Sequence, residues 1–174
     1  KNKQVKASES KKKGTVTGGA GAKGKQKQPQ GVRKGKALAG LTVLNPHASQ
    51  ELEGLTLVVG RSSKQNDRIS FQVAQEHHVW FHADGVPGSH CLLLLEPGEE
   101  PSDAALQFGA DVAAWHSKAR GNKDAPVTYT SPRHLKKITG GGPGMVSVMK
   151  VSGVLRGRPD QGKAHMESHL LFEE

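Results

Sequence analysis

The sequence predicts a single α+β domain, a mixed or antiparallel β-sheet with two principal helices, preceded by a disordered basic tail. Three observations predict it. Residues 1 to 39 are rich in Lys, Gly, Gln and Ser with almost no large apolar side chain, so they cannot offset the entropy of being ordered. From Leu41 onward, short apolar runs recur between Gly, Pro, Asn and Asp clusters, the signature of strands. After Ser62 and again after Ser102 the apolar spacing changes to that of helices.

In chain order, residues 41 to 45 (LTVLN) and 55 to 60 (LTLVVG) read as two strands separated by Pro46 to Gly54. Gly60 permits a tight turn. Ser62 and Gln65 then have capping-box spacing, with Ser63 and Asn66 as the alternative frame, and Ile69 and Val73 supply the inward face of a helix. Residues 78 to 83 (HVWFHA) and 90 to 96 (HCLLLLE) follow as strands joined by DGVPGS. Ser102 caps the second helix, Asp103 lies in its first turn, and Leu106, Ala110, Ala113 and Ala114 face inward. Lys118 and Arg120 complement its C-terminal dipole before Gly121 ends it. Residues 125 to 131 (APVTYTS) read as a short strand, 133 to 144 as a basic, glycine-rich loop, and 145 to 157 as one or two closing strands. The expected domain covers 40–161, and 162–174 read as a flexible C-terminal extension.

The 174 residues suffice for one domain with a real core, and no apolar run approaches the length that spans a membrane. The single cysteine, Cys91, precedes Leu92 to Leu95 in a strand, which excludes an internal disulfide framework or a cysteine zinc site and fits a reducing compartment. The chain opens on Lys without the apolar core of a secretory signal, which reads as a segment of a longer protein. Its formal charge of +9 is uneven. Residues 1 to 39 hold 12 Lys/Arg against Glu9 alone, a surplus of +11, whereas residues 40 to 174 hold 13 against 15 acidic residues, a balance of −2. The tail therefore reads either as a solvated spacer or as an arm that neutralises phosphates by counterion release, and any nucleic-acid site on the domain must come from local clusters.

Two such clusters stand out. In VVGRSSKQND, Arg61 and Lys64 flank an expected helix N-terminus, whose free N–H groups and partial positive charge attract anions. Arg with its planar fork and Lys with its compact charge suit a sugar-phosphate backbone. Gln65, Asn66 and Asp67 could read polar base edges or cap the helix and fix the loop, and both readings stay open. The second cluster is Lys118, Arg120, Lys123, Arg133, Lys136 and Lys137, with Asp124 as its lone acidic neighbour. The run Gly140 to Gly144 could bring backbone near RNA but has no Gly-Lys-Ser/Thr and is no phosphate loop, which argues against nucleotide hydrolysis. Trp80 and His82 share one side of a strand; core packing is favoured for Trp80 over base stacking, since the chain has only seven Phe, Trp and Tyr. His82, Ser89 and His90 with Asp67 or Asp84 could be drawn as a nucleophile-base-acid set, but the sequence has no Gly-x-Ser-x-Gly elbow, and RNA contacts or loop-fixing hydrogen bonds are favoured. His165 and His169 bracket a misplaced Glu167, so no metal site and no cofactor are expected.

The motifs VGRSSKQND (59–67), VWFHADGVPGSH (79–90), AAWHSKAR (113–120), VTYTSPRHLKK (127–137) and GGPGMV (141–146), in that order, resemble the NFACT-R domain. The resemblance covers residues 41 to 160. It implies an RNA-binding, non-catalytic module of a ribosome quality-control factor of the RqcH and NEMF type, acting on an obstructed large ribosomal subunit and supporting C-terminal tailing of the stalled nascent chain. The implied partners are tRNA and ribosomal RNA, with the isolated domain monomeric. The stretches LEPGEEPSDAALQFGADVAAW and GRPDQG are similar to cyanobacterial and plastid members, which implies a plastid location, with the cytoplasm as the other choice. Ile138 departs from the Pro common in the family after the paired lysines. Two rival readings stand beside this one: an RNA-modifying or RNA-processing activity around Asp67, His82 and His90, and a protein-interaction module docking on ribosomal proteins.

Overall fold

Four apolar runs build the centre of the molecule. The computed structural model describes residues 36–46 and 49–170, so the expected tail lies outside the described residues except for Lys36 to Ala39. Strands β1 (Thr42–Leu44), β2 (Thr56–Val59), β3 (Val79–Ala83), β4 (Cys91–Leu94), β5 (Ala125–Thr130) and β8 (Gly153–Gly157) form one sheet in the order β1-β2-β4-β3-β5-β8. Every pairing is antiparallel, which settles the mixed-or-antiparallel alternative. Residues Leu57 to Val59 and Cys91 to Leu93 are fully buried because both faces of these strands are covered. The register sets Val58, Leu92 and Trp80 side by side on one face and Leu57, Leu93 and Val79 on the other.

Helix α2 (Asp103–Trp115) covers the second face, with Phe108, Ala110, Val112 and Ala113 packed on Phe81, Leu93 and Val127. Ser102 Oγ accepts from the Ala105 N–H at 3.1 Å, the cap the sequence specifies. Gly109 is needed where the Phe81 ring meets the helix, since a Cβ there would lie 2.4 Å from the ring. The first face is covered by helix α1 (Ser63–Arg68), a π-helical turn (Ile69–Val73), and a hairpin of β6 (Leu135–Lys137) with β7 (Val146–Val148). Ile69, Val73 and Leu38 close this smaller core over Trp80. The folded unit thus begins ahead of the expected boundary at residue 40. Each large side chain buried this way contributes about 1.5–3 kcal/mol.

The structure departs from the sequence reading at three further places. Residues 135 to 137, read as loop, form β6, because Leu135 turns into the Trp80 core while Lys136 and Lys137 stay outside. Helix α2 stops at Trp115, so Lys118 and Arg120 do not lie in its last turn. Instead Ser117 bridges to Gly88, the Ser89 backbone N–H donates to the His116 carbonyl at 2.9 Å, and the Lys118 backbone N–H donates to the Pro87 carbonyl at 2.9 Å. The expected flexible extension is, through Leu170, part of helix α3 (Pro159–Leu170). Pro159 at its first position and Asp160 in its first turn favour that start.

An ion pair between the exposed Arg158, just ahead of α3, and the buried Asp111 docks α3 on α2. Asp111, with a side chain 1 % exposed, accepts from Arg158 Nη2 at 2.6 Å, from the Arg158 backbone N–H at 2.8 Å and from Gln107 Nε2 at 2.7 Å. Gly162 lets the two helices meet, for a Cβ there would lie 2.1 Å from the Asp111 carbonyl oxygen.

Candidate nucleic-acid interface

The turn after β2 shows how polar side chains are divided between structure and surface. Gly60 has no room for a side chain: a Cβ would sit 2.1 Å from Asn66 Oδ1. Ser62 Oγ caps α1 by accepting from the Gln65 N–H at 3.2 Å, the first of the two frames the spacing allows. Gln65 returns through Oε1 to the Arg61 N–H at 2.8 Å and donates from Nε2 to the Gly40 carbonyl at 3.1 Å. Asn66 Oδ1 accepts from the His90 N–H at 3.0 Å. Gln65 and Asn66, both candidate RNA contacts by sequence, therefore have their amides committed to backbone. Asp67 bonds Lys137 Nζ at 2.9 Å and the Gly144 N–H at 3.4 Å, and the Lys137 ammonium beside it holds its carboxyl below the usual carboxylate range.

His90, Ser70 and Trp80 form a buried polar chain on the first face. Trp80 Nε1 donates to Ser70 Oγ at 3.0 Å, and that oxygen lies 2.7 Å from His90 Nδ1. Trp80 is 1 % exposed and His90 3 %, so neither offers a face to a base. Burial pulls His90 down to about 4, with His82 as a second cause. His82 is half-buried, its ring stacked 5.9 Å from Trp80 and edge-on 5.3 Å from His90. Ser70, which sequence reasoning did not single out, is the partner of His90 in place of Ser89, while Asp67 is directed to Lys137. The nucleophile-base-acid set drawn from the sequence is therefore not joined by hydrogen bonds. Among the described residues no group of three or more His, Cys, Asp or Glu could hold a metal ion.

What remains open to a ligand is a cleft of about 530 Å³ at the end of the sheet where β2 leaves and β3 turns to β4. Arg61, Lys118 and Arg120 line it together with Ser62, Ser63, Ser89, His116 and Ser117, and no carboxylate does. The early stop of α2 makes this possible, because residues 116 to 120 fold against the turn at Pro87 to Ser89 and carry Lys118 and Arg120 across to Arg61. Among the described residues, none of the three cations is in an ion pair. Burial, and then the charges of Arg61 and Arg120, pull His116 down to about 4, and its Nε2 is the one buried side-chain nitrogen or oxygen there without a hydrogen-bond partner. An acid-free concavity holding two guanidinium forks, an ammonium and serine hydroxyls suits a phosphate and its sugar.

The other predicted cations are dispersed. Lys64 stands on the exposed side of α1, outside the cleft lining. Lys136 and Lys137 lie on the hairpin beside α1. Arg133 lines a separate pocket of about 610 Å³ at the opposite end of the sheet, among Glu76, Glu99 and Glu100. Helix α1 has only six residues, so the side-chain cations, and not a helix dipole, set the cleft's charge. Sequence reasoning missed His116, Ser63 and Ser117, since nothing in the order of residues tells that 116 to 120 return to the β3–β4 turn.

An α+β module with a cationic, hydroxyl-lined cleft at one end of its sheet is the class that fold and site define. The family model described as the NFACT protein RNA binding domain matches residues 46–149, and the chain belongs to that family. It is similar to proteins called Rqc2 homolog RqcH, at 36 % identity over 98 residues in Bacillus subtilis and 38 % over 96 in Streptococcus suis. These alignments cover 56 % and 55 % of this chain but 17 % of each relative. Among solved structures it resembles the C-terminal part of the fibronectin/fibrinogen-binding protein from Streptococcus suis, with a TM-score of 0.61 and 32 % identity over 70 % of this chain and 48 % of that one.

Proposed function

We propose that the domain binds RNA, with sugar-phosphate backbone seated in the cleft of Arg61, Lys118 and Arg120, as the RNA-binding module of a ribosome-associated quality-control factor. One observation carries the reading: three cations that no carboxylate neutralises converge on one cleft in a member of an RNA-binding family. Holding like charges together without a counter-charge is unfavourable in the free protein, and an incoming phosphate reverses the sign of that term. The pairing of His90 with Ser70 and of Asp67 with Lys137, in place of any hydrogen bond to Ser89, favours binding over catalysis. The RqcH relatives support a role in ribosome quality control; in the reading proposed here the factor acts on obstructed large ribosomal subunits, contacts tRNA or ribosomal RNA, and supports tailing of stalled chains. The Lys-rich residues 1 to 39 add sequence-independent attraction.

The test is fluorescence anisotropy of labelled tRNA with the intact chain and with Arg61→Ala/Arg120→Ala, each at several salt concentrations. Losing two phosphate contacts lowers the slope of log affinity against log salt by about 1.4–1.8 and weakens binding at least about tenfold at low salt. Circular dichroism checks that the variant is folded. An unchanged slope and affinity in a folded variant sinks the cleft as the RNA site.

A further inference from the structure

Beside the cleft stands a second wall that the core does not require. Asp67 holds both ends of the loop between β6 and β7, accepting from Lys137 Nζ at 2.9 Å and from the Gly144 N–H at 3.4 Å. The Lys137 ammonium also lies 5.7 Å from the centre of the Phe71 ring. Gly144, at φ 79°, packs so closely on α1 that a Cβ would come 3.0 Å from the Ser63 carbonyl oxygen, and Ser63 lines the cleft. The loop is therefore pinned next to the three cations. It presents bare backbone, with open space where a Cβ would stand on Gly140 and on Gly142, bracketed by two apolar side chains, Ile138 at 38 % and Met145 at 50 % exposure.

We propose that the loop from Ile138 to Met145 is the second half of the RNA site and receives an unpaired nucleotide, its base against Ile138 and Met145, its sugar over the glycine backbone, and its neighbouring phosphate in the cleft. The inference rests on the RNA-binding reading above and adds the class of RNA, single-stranded or looped and not duplex. A paired base keeps its faces inside the stack, where an apolar side chain on a surface loop cannot reach them, whereas an unpaired base gains by covering its face. The bare glycine backbone of the loop lets a nucleotide strand approach the main chain. Asp67 acts here as a positioning residue, because it touches the loop and not the nucleotide.

Anisotropy titrations of the intact chain with an unstructured oligonucleotide and with the same sequence annealed to its complement test this, beside Ile138→Ser/Met145→Ser and Asp67→Ala. The unpaired form is expected to bind about tenfold tighter than the duplex, and the double serine variant to lose about three- to tenfold for the unpaired form with an unchanged salt slope. Asp67→Ala frees Lys137, so its salt slope should rise while its preference for the unpaired form falls, a pairing that a purely structural role does not produce. Equal or tighter duplex binding, or a double variant indistinguishable from the parent, overturns the proposal while leaving RNA binding in place. Failure of both RNA forms to bind better than a peptide of residues 1 to 39 overturns the RNA reading itself.

Discussion

Replacing Arg158 by Met tests what holds α3 on the domain. The change removes a guanidinium whose Nε lies 3.2 Å from both oxygens of Asp111 and whose Nη2 lies 2.6 Å from one of them. Breaking a buried pair from one side costs about 3–5 kcal/mol, because the remaining charge stays out of water. Two features place this pair at the low end. Arg158 has a side chain 54 % exposed, so solvent already screens its attraction, and Asp111 retains the Arg158 backbone N–H and Gln107 as neutral donors. We expect a loss of about 3 kcal/mol at neutral pH, or roughly 10 °C in the melting temperature of a domain this size. Urea unfolding of parent, Arg158→Met, Asp111→Leu and the double variant measures it. The double variant should lie well above the sum of the singles, because it removes both charges together. A loss below about 1 kcal/mol for Arg158→Met would refute the reasoning, since it would mean that water reaches the Asp111 carboxylate.

Gly162→Ala drives a Cβ against the Asp111 carbonyl, so α3 must shift, with an expected loss of about 1–3 kcal/mol in urea unfolding and faster amide exchange throughout α3. The buried His90, held at about 4 against an ordinary 6.5, binds a proton in the unfolded chain before it does so in the folded one. Its contribution is therefore fully present above pH 6.5 and declines by up to about 3 kcal/mol as pH falls to 4; the fall of the urea midpoint across that range should be shallower in His90→Gln, the remainder coming from His78 and His116, which burial also holds at about 4. Cys91 is fully buried, and burial pushes its thiol up, so iodoacetamide should label it only at the rate of unfolding and not in the native domain.

The strands and the caps of both expected helices were legible because each rests on local chemistry. Ser62 and Ser102 sit ahead of helical spacing, and Leu92 to Leu94 have nowhere to go but inside. Helix α3 was not legible. Its stretch carries few large apolar residues, and its docking rests on Asp111 and on the missing side chain of Gly162, neither of which has a periodic signature. For the site, the sequence reading separates Arg61 from Lys118 and Arg120 into two clusters, while the structure gathers them and sends Arg133 to the opposite end. That grouping depends on where α2 stops, just ahead of Ser117, whose Oγ donates to the Ala114 carbonyl at 2.8 Å and whose backbone bridges to Gly88, a partner distant in sequence. Gln65 and Asn66 were ambiguous for a different reason: an amide side chain serves a backbone group and a base edge equally well.

The cleft also explains why a histidine sits among cations. A charged His116 would add a fourth positive group to a place where Arg61 and Arg120 already repel it, and burial adds to the cost of charging it. Held at about 4, the ring is neutral throughout the neutral range, so it supplies shape to the wall without adding to the repulsion that the free protein must bear. The side-chain cations that remain are two guanidinium groups and one ammonium. Near neutrality ionic strength, acting through the counterions of the RNA, is then the variable to which an anion in this cleft responds, and protons act on His116 in its wall and on His90 in the core alike only at acid pH.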